Sequence, residues 1–275
     1  MSVSAGSTRA WEPLTPRGVA AFAGAGLGRL LLVQGIVALL AAGVVVWFVD
    51  NGCFPTMGTA IRKLPAAGEI RSGRLDWPGY SPELLADGRF LAFGVDLDHA
   101  GQIRSTATAD VQIEFGRETV RVFSLLGYLE WPYPRDYVIA FNRNELEPLW
   151  GAWAMEFLLA VGAATVICLL LSWWLLATLY FLPVWLLGLF TNRDLNFRQS
   201  WRLAGAALMP GALLISAAIL LYGIGFLSLV SFLFAFGAHF LIGWIYLFLS
   251  LLFVPHAPTT TTRGNPFRPS RQECG

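Results

Sequence analysis

Two hydrophobic patterns share this chain. Long uncharged blocks lie within residues 30–49 and 152–254, and a stretch of period-two alternation separates them. Leu30–Val49 is an uncharged run of 20 residues, flanked by Arg29 and Asp50. At about 1.5 Å per residue it crosses a hydrocarbon core about 30 Å thick. Ala152–Val254 holds 103 residues with only five charges, Glu156, Arg193, Asp194, Arg198 and Arg202. Four of the five stand together between Arg193 and Arg202, so two apolar blocks flank a charged hinge. From Phe157 to Phe190 there are 34 residues without a charge. That exceeds one span and falls short of two spans plus a turn. Pro183 is read as the break, leaving a span from about Ala152 to Tyr180 and an interfacial segment Val184–Phe190 anchored by Trp185. Leu203–Val254 gives 52 further uncharged residues, room for two spans turning at Gly223-Ile224-Gly225 and ending at Pro255.

Residues 50–149 alternate instead. Leu91, Phe93, Val95 and Leu97 face one way, with Ala92, Gly94, Asp96 and Asp98 facing the other; Val111, Ile113, Phe115 and Tyr137, Ile139, Phe141 repeat the pattern. Period two with one apolar face predicts half-buried strands. Asp87-Gly88 is a turn signal, and Phe115-Gly116-Arg117-Glu118-Thr119 followed by Val120 and Val122 predicts a hairpin. Four to six strands are expected. Asn144–Glu147 then caps the next helix, with Pro148 in its first turn.

The resulting fold class is an integral membrane α-helical protein of four transmembrane helices with a small β-rich extracytoplasmic domain. Its expected parts are an arm (1–29), helix 1 (30–49), the β-rich domain (50–149), helix 2 (150–182), an interfacial elbow (183–202), helix 3 (203–227), helix 4 (228–254) and a disordered tail (255–275). Composition agrees: 56% of residues are apolar and 13% charged, about half the charge of a soluble domain at about 25%. The net charge of +1 gives no reason to expect nucleic acid as a partner. The expected partners are the lipid bilayer and a second membrane or periplasmic protein.

Charge distribution sets orientation. The arm carries Arg9, Arg17 and Arg29 against Glu12; the elbow carries Arg193, Arg198 and Arg202 against Asp194; the tail carries Arg263, Arg268 and Arg271 against Glu273. Four spans put all three segments on one side, and the positive-inside rule makes that side cytoplasmic. Residues 50–149, with ten basic and 14 acidic residues, then lie outside a bacterial inner membrane. A cleaved signal peptide fits less well, because an apolar region of about 7–15 residues would suffice for one.

Chemistry is sparse. Cys53, Cys168 and Cys274 are dispersed, with no CxxC to support a zinc site or redox pair. His239 sits near the middle of the last span, where an ionisable group is a functional candidate by default; the plainer reading is a neutral imidazole bonded to a neighbouring helix. Glu156 stands near the outer boundary, within reach of the interface. Asp96, Asp98 and His99 form a DxDH cluster in which acids at i and i+2 share a strand face and would seed a divalent-ion site. The calcium-loop pattern is not completed, and a solvated strand face is the plainer reading. Gly24, Gly26 and Gly28 precede a span rather than follow a strand, which suits close packing or a flexible lead-in. Gly205, Ala206, Ala207, Pro210 and Gly211 make the start of the third span thin, fit for packing and for a kink. GxSxG, HExxH, P-loop and SxxK motifs do not occur. No catalytic residue, metal or cofactor is expected.

The order of parts resembles bacterial multi-span membrane proteins with a β-rich extracytoplasmic loop. Phe197-Arg198-Gln199-Ser200-Trp201-Arg202-Leu203-Ala204, followed by Met209-Pro210, resembles the loop-to-helix junction of Yip1-like membrane proteins. The resemblance implies architecture only; it supplies no catalytic residues, and the large domain between the first two helices departs from that family. The expected function is non-enzymatic binding, sensing or scaffolding through the β-rich domain. The alternatives are a transporter or transporter subunit using His239 and the thin third span, and a membrane enzyme using Asp96, Asp98 and His99.

Overall fold

The structure, a computed structural model, describes residues 11–257. Arg9, the Thr- and Pro-rich tail with its arginines, and Cys274 lie outside the described residues. Among the described residues, four helices are long and apolar enough to cross a membrane, and a small β-sheet region occupies residues 69–140. Contacts divide the chain into two units, and the division cuts through the helices. One unit holds the residues to Gln34, Leu171–Gly211 and those from Phe240 onward; the other holds Gly35–Leu170 and Ala212–His239.

In the first unit, α1 (Pro16–Gly24) opens on Thr15, whose Oγ1 accepts from the Gly18 amide at 3.0 Å, with Pro16 in the first turn. Its buried face, including Val19 and Phe22, packs on α6 (Phe197–Ala207). The chain breaks at Ala25 and resumes as α2 (Leu27–Phe48). Gly24, Gly26 and Gly28 have no neighbour within 4 Å of a Cβ position, so none serves close packing; Gly24 and Gly26 flank the break, and Gly28 lies in the first turn of α2. α6 starts six residues earlier than expected because Asn196 and Gln199 form a reciprocal capping box, at 2.9 and 2.8 Å. Within the thin stretch Gly205–Gly211 the helix is interrupted at Leu208, between α6 and α7 (Met209–Gly223). The small residues of α6 do pack: a Cβ on Gly205 would meet Gln34 Nε2 at 3.3 Å and Ala177 Cβ at 3.6 Å.

The expected elbow at Pro183 is absent. One helix, α5 (Arg143–Phe190), runs 48 residues without interruption, about 72 Å at 1.5 Å per residue. Proline removes one backbone donor, and in an apolar span that loss is tolerated where the remaining ladder is intact. The last helix, α8 (Leu229–Leu251), follows a turn at Gly223–Gly225, as the glycine pair suggested. The apolar window of α6–α7 is 61% buried and that of α5 only 6%, so α5 has lipid as the natural covering for its apolar side chains.

In the second unit, the first span does not stop at Val49. A π-helical turn, Val49–Cys53, joins α2 to α3 (Phe54–Lys63), so helix continues where a soluble domain was expected to begin. Ala60 and Leu64 carry that helix into the core of the β-region, beside Ile70, Leu75, Trp77, Leu85, Val95, Tyr133 and Phe141. Among the described residues, eight strands form two sheets. β1 (Glu69–Arg71), β2 (Arg74–Asp76) and β8 (Ile139–Ala140) make one, in the order β2-β1-β8. β3 (Glu83–Asp87), β4 (Leu91–Val95), β5 (Val111–Phe115), β6 (Thr119–Ser124) and β7 (Gly127–Pro132) follow sequence order in the other. The Asp87-Gly88 turn and the β5–β6 hairpin appear where the sequence puts them, with Phe115 opposite Val120. β4 and β5 are parallel, so residues 96–110 form a crossover, which includes the short helix α4 (Gln102–Thr106). Ile103 of α4 lies over Gly94. That crossover covers the face of β4 expected to meet water: Ala92, Gly94 and Asp96 are all buried.

Candidate functional site

Three places in the second unit combine chemistry with position. The first is on the covered face of the five-stranded sheet. His99 follows β4 in the left-handed region, φ 51°. Its Nδ1 closely contacts Glu114 Oε1 on β5, and its Nε2 lies 3.0 Å from Thr119 Oγ1 on β6. Glu114 is 1% exposed. A buried carboxylate on a histidine ring nitrogen fixes the tautomer and orientation of the ring. Gly116 is essential to this placement, because any Cβ there would occupy the imidazole. Beyond Thr119, its hydroxyl and then Arg121 hold the Glu130 carboxyl below the usual range, so the polar chain extends to the outermost strand.

Carboxylate, imidazole and hydroxyl in this order are the parts of an activated-nucleophile relay. Here the imidazole side chain is 12% exposed, and its two contacts join β5, β6 and the crossover. The DxDH expectation changes accordingly. β4 ends at Val95, so Asp96 and Asp98 do not share a strand face: Asp96 is buried and accepts from the Gly101 amide at 3.1 Å, while Asp98 is 80% exposed and 3.5 Å from Arg117. Asp96 shapes the crossover loop instead. No group of three His, Cys, Asp or Glu side chains suited to a metal ion occurs among the described residues.

The second place is where the β3–β4 turn meets helix ends. Arg89 Nη2 donates to the Leu227 carbonyl at 3.2 Å, and its guanidinium lies 5.2 Å from the Phe90 ring. Phe90 packs edge-on to Phe48 of α2 (5.0 Å) and Tyr222 of α7 (4.8 Å). Tyr222 stacks on Phe232 of α8 and donates its hydroxyl to Asp110 Oδ2 at 2.5 Å. Asp87, Gly88, Arg89, Thr108, Asp110 and Ser228 line a cavity of about 550 Å³ there. Asp87 is engaged within that wall, accepting from the Thr108 amide and hydroxyl. The sequence signals here are the Asp87-Gly88 turn and Tyr222, a phenol in the last turn of a span that is otherwise almost wholly apolar.

The third place is the open edge of the five-stranded sheet. All six residues of β7 are exposed. Val122 pairs with Leu129 and Val120 with Trp131, so the apolar face of the sheet continues onto β7 beyond the core that covers it. Leu126 at the hairpin tip is 85% exposed, Leu129 61% and Trp131 49%. The alternation of Leu129 and Trp131 is present in the sequence but too short to stand out.

His239 and Glu156 belong to none of these places. His239 Nδ1 closely contacts the Phe236 carbonyl one turn back on its own helix, and the two rings lie 5.0 Å apart. Glu156 is exposed on α5 between the exposed apolar side chains Met155 and Phe157. The chain matches no family model, no curated protein and no solved structure.

Proposed function

We propose that this is a membrane-embedded binding protein that presents its β-domain outside a bacterial inner membrane and engages a partner protein through the β6–β7 hairpin. One observation carries the reading: β7 is an open sheet edge bearing Leu129 and Trp131 on one face, with Leu126 at its tip. Uncapped edges with apolar side chains template a further strand, main-chain hydrogen bonds giving affinity and alternate side chains giving specificity. The occupant is an extended segment of a membrane or periplasmic protein. The arginine-bearing segments before the first span and between α5 and α6 support an inward orientation for those loops. The Yip1-like junction at Phe197–Ala204 is an architectural parallel to this arrangement and adds no activity.

A transporter role draws less support, since the imidazole of His239 is engaged with its own helix. An enzymatic role draws less support too, since both ring nitrogens of His99 are engaged, by Glu114 and Thr119. A photocrosslinking residue at Leu129, in cells, tests the proposal. A discrete protein adduct at Leu129 that disappears with Leu126→Asp, with no adduct from the same probe at Arg71 on β1, is the expected result. Lipid adducts alone would make the hairpin a membrane contact, and no adduct would remove the binding role.

A further inference from the structure

The first unit contains a groove of about 600 Å³ lined by Leu27, Thr178, Phe181, Phe197, Arg198, Trp201 and Arg202. No acidic side chain is among them. Its walls come from the start of α2, the end of α5 and the first turns of α6, all in helices of spanning length. The two arginines differ in how they are held. Arg202 is fixed: Nε donates to the Arg198 carbonyl at 3.2 Å, and Nη1 closely contacts the Ala25 carbonyl at the α1–α2 break. Arg198 is exposed, and its guanidinium has no hydrogen-bond or ion-pair partner among the described residues. The polar groups of the floor are already paired: Trp201 Nε1 donates to Thr178 Oγ1 at 3.1 Å, and that hydroxyl donates to the Trp174 carbonyl at 2.8 Å. What the groove offers a ligand is therefore positive charge at one side and apolar surface at the other. Leu27 and Phe197 are each about half exposed, at 50% and 54%.

We propose that this groove binds an anionic glycerophospholipid, with the phosphodiester on Arg198 and Arg202 and an acyl chain along Leu27, Phe181 and Phe197. Guanidinium forks match phosphate oxygens in a bidentate manner, and basic pockets between membrane helices hold anionic headgroups. A free phosphate has no use for the apolar side, and a zwitterionic lipid gains less from two arginines facing no carboxylate. The site is independent of the β-domain and of whatever that domain binds.

Native mass spectrometry of the full chain in detergent, titrated with phosphatidylglycerol or phosphatidylcholine, tests the site. Phosphatidylglycerol should bind in preference to phosphatidylcholine, and inorganic phosphate should not displace it. At roughly five-fold per arginine near a headgroup, Arg198→Gln with Arg202→Gln should weaken phosphatidylglycerol binding roughly 25-fold. The charge-matched pair Arg71→Gln with Arg74→Gln should leave it unchanged. Because Arg202 also holds the α1–α2 break, Arg198→Glu alone is the variant that leaves Arg202 in place; it reverses an exposed, unpartnered charge and should abolish the preference. Equal binding of both lipids, retention of the preference in Arg198→Glu, or displacement by inorganic phosphate would each overturn the proposal.

Discussion

At the scale of single residues, the β-domain depends on a few enclosed polar contacts. Gly116 leaves the space that the His99 ring fills. Gly116→Ala forces the imidazole out of its contact with Glu114 and leaves a buried side chain without its hydrogen-bond partner, a change worth about 1–3 kcal/mol. Chemical unfolding followed by the fluorescence of Trp77, a core residue, should show that loss; an unchanged midpoint would mean the pair does not hold the sheet. Tyr133 tests a second contact. Its hydroxyl donates to the Gly116 carbonyl at 3.1 Å, and burial pushes the phenol above its ordinary value. A raised folded-state pKa means that the neutral phenol's stabilisation is complete below about pH 10, the unfolded value, and declines as pH rises above it toward the folded value. Unfolding midpoints should therefore fall as pH rises above about 10, and Tyr133→Phe should remove its share of that fall. An identical slope in the variant would assign the alkaline loss to other groups.

At the scale of elements, apolar length was legible and element ends were not. Uncharged runs long enough for four spans are visible in the sequence, because a hydrocarbon core sets their length. Pro183 would interrupt a helix in water, but α5 continues through it. The start of α6 was missed because Asn196 and Gln199 form their box inside a charged stretch that reads as loop. Asn196→Ala should cost about 1 kcal/mol, the usual loss of an N-cap. A thermal shift on detergent-solubilised protein reads it, and Asn196→Ser should recover most of the loss; no difference between Ala and Ser would show that this cap carries no weight. Hairpins were legible where a Gly-containing turn joined two alternating runs, as at Phe115–Val122. The parallel β4–β5 pair was not, because crossovers carry no local turn signal. The same crossover explains the candidate site: Asp96 and His99 were visible as a cluster, but their partners Gly101, Glu114 and Thr119 come together only once residues 96–110 fold back over the sheet.

At the scale of the molecule, the β-domain is continuous with helices rather than tethered by a flexible linker. α2 runs through a π-turn into α3 and so into the β-domain core, while the β3–β4 turn reaches Tyr222 and Leu227 at the end of α7. If a partner on the β-domain is to be felt by the helices, the Asp110–Tyr222 bond is a contact through which strain would pass. Hydrogen bonds to charged groups contribute about 1.5–3 kcal/mol, so removing this one should make the turn open more often without unfolding the sheet. Tyr222→Phe keeps the ring against Phe90 and Phe232 and deletes only the hydroxyl. Hydrogen exchange in that variant should speed up roughly ten-fold or more at Gly88, Asp110 and Val111, whose amides donate to the Leu91, Arg89 and Phe90 carbonyls of the turn region, while the rest of β5 and β6 keeps its protection. Arg89→Gln, which loses its donation to Leu227, should act in the same place. Uniform acceleration across the sheet would show that the contact supports the whole domain, and no acceleration would show that aromatic packing alone seats the β-domain on its helices.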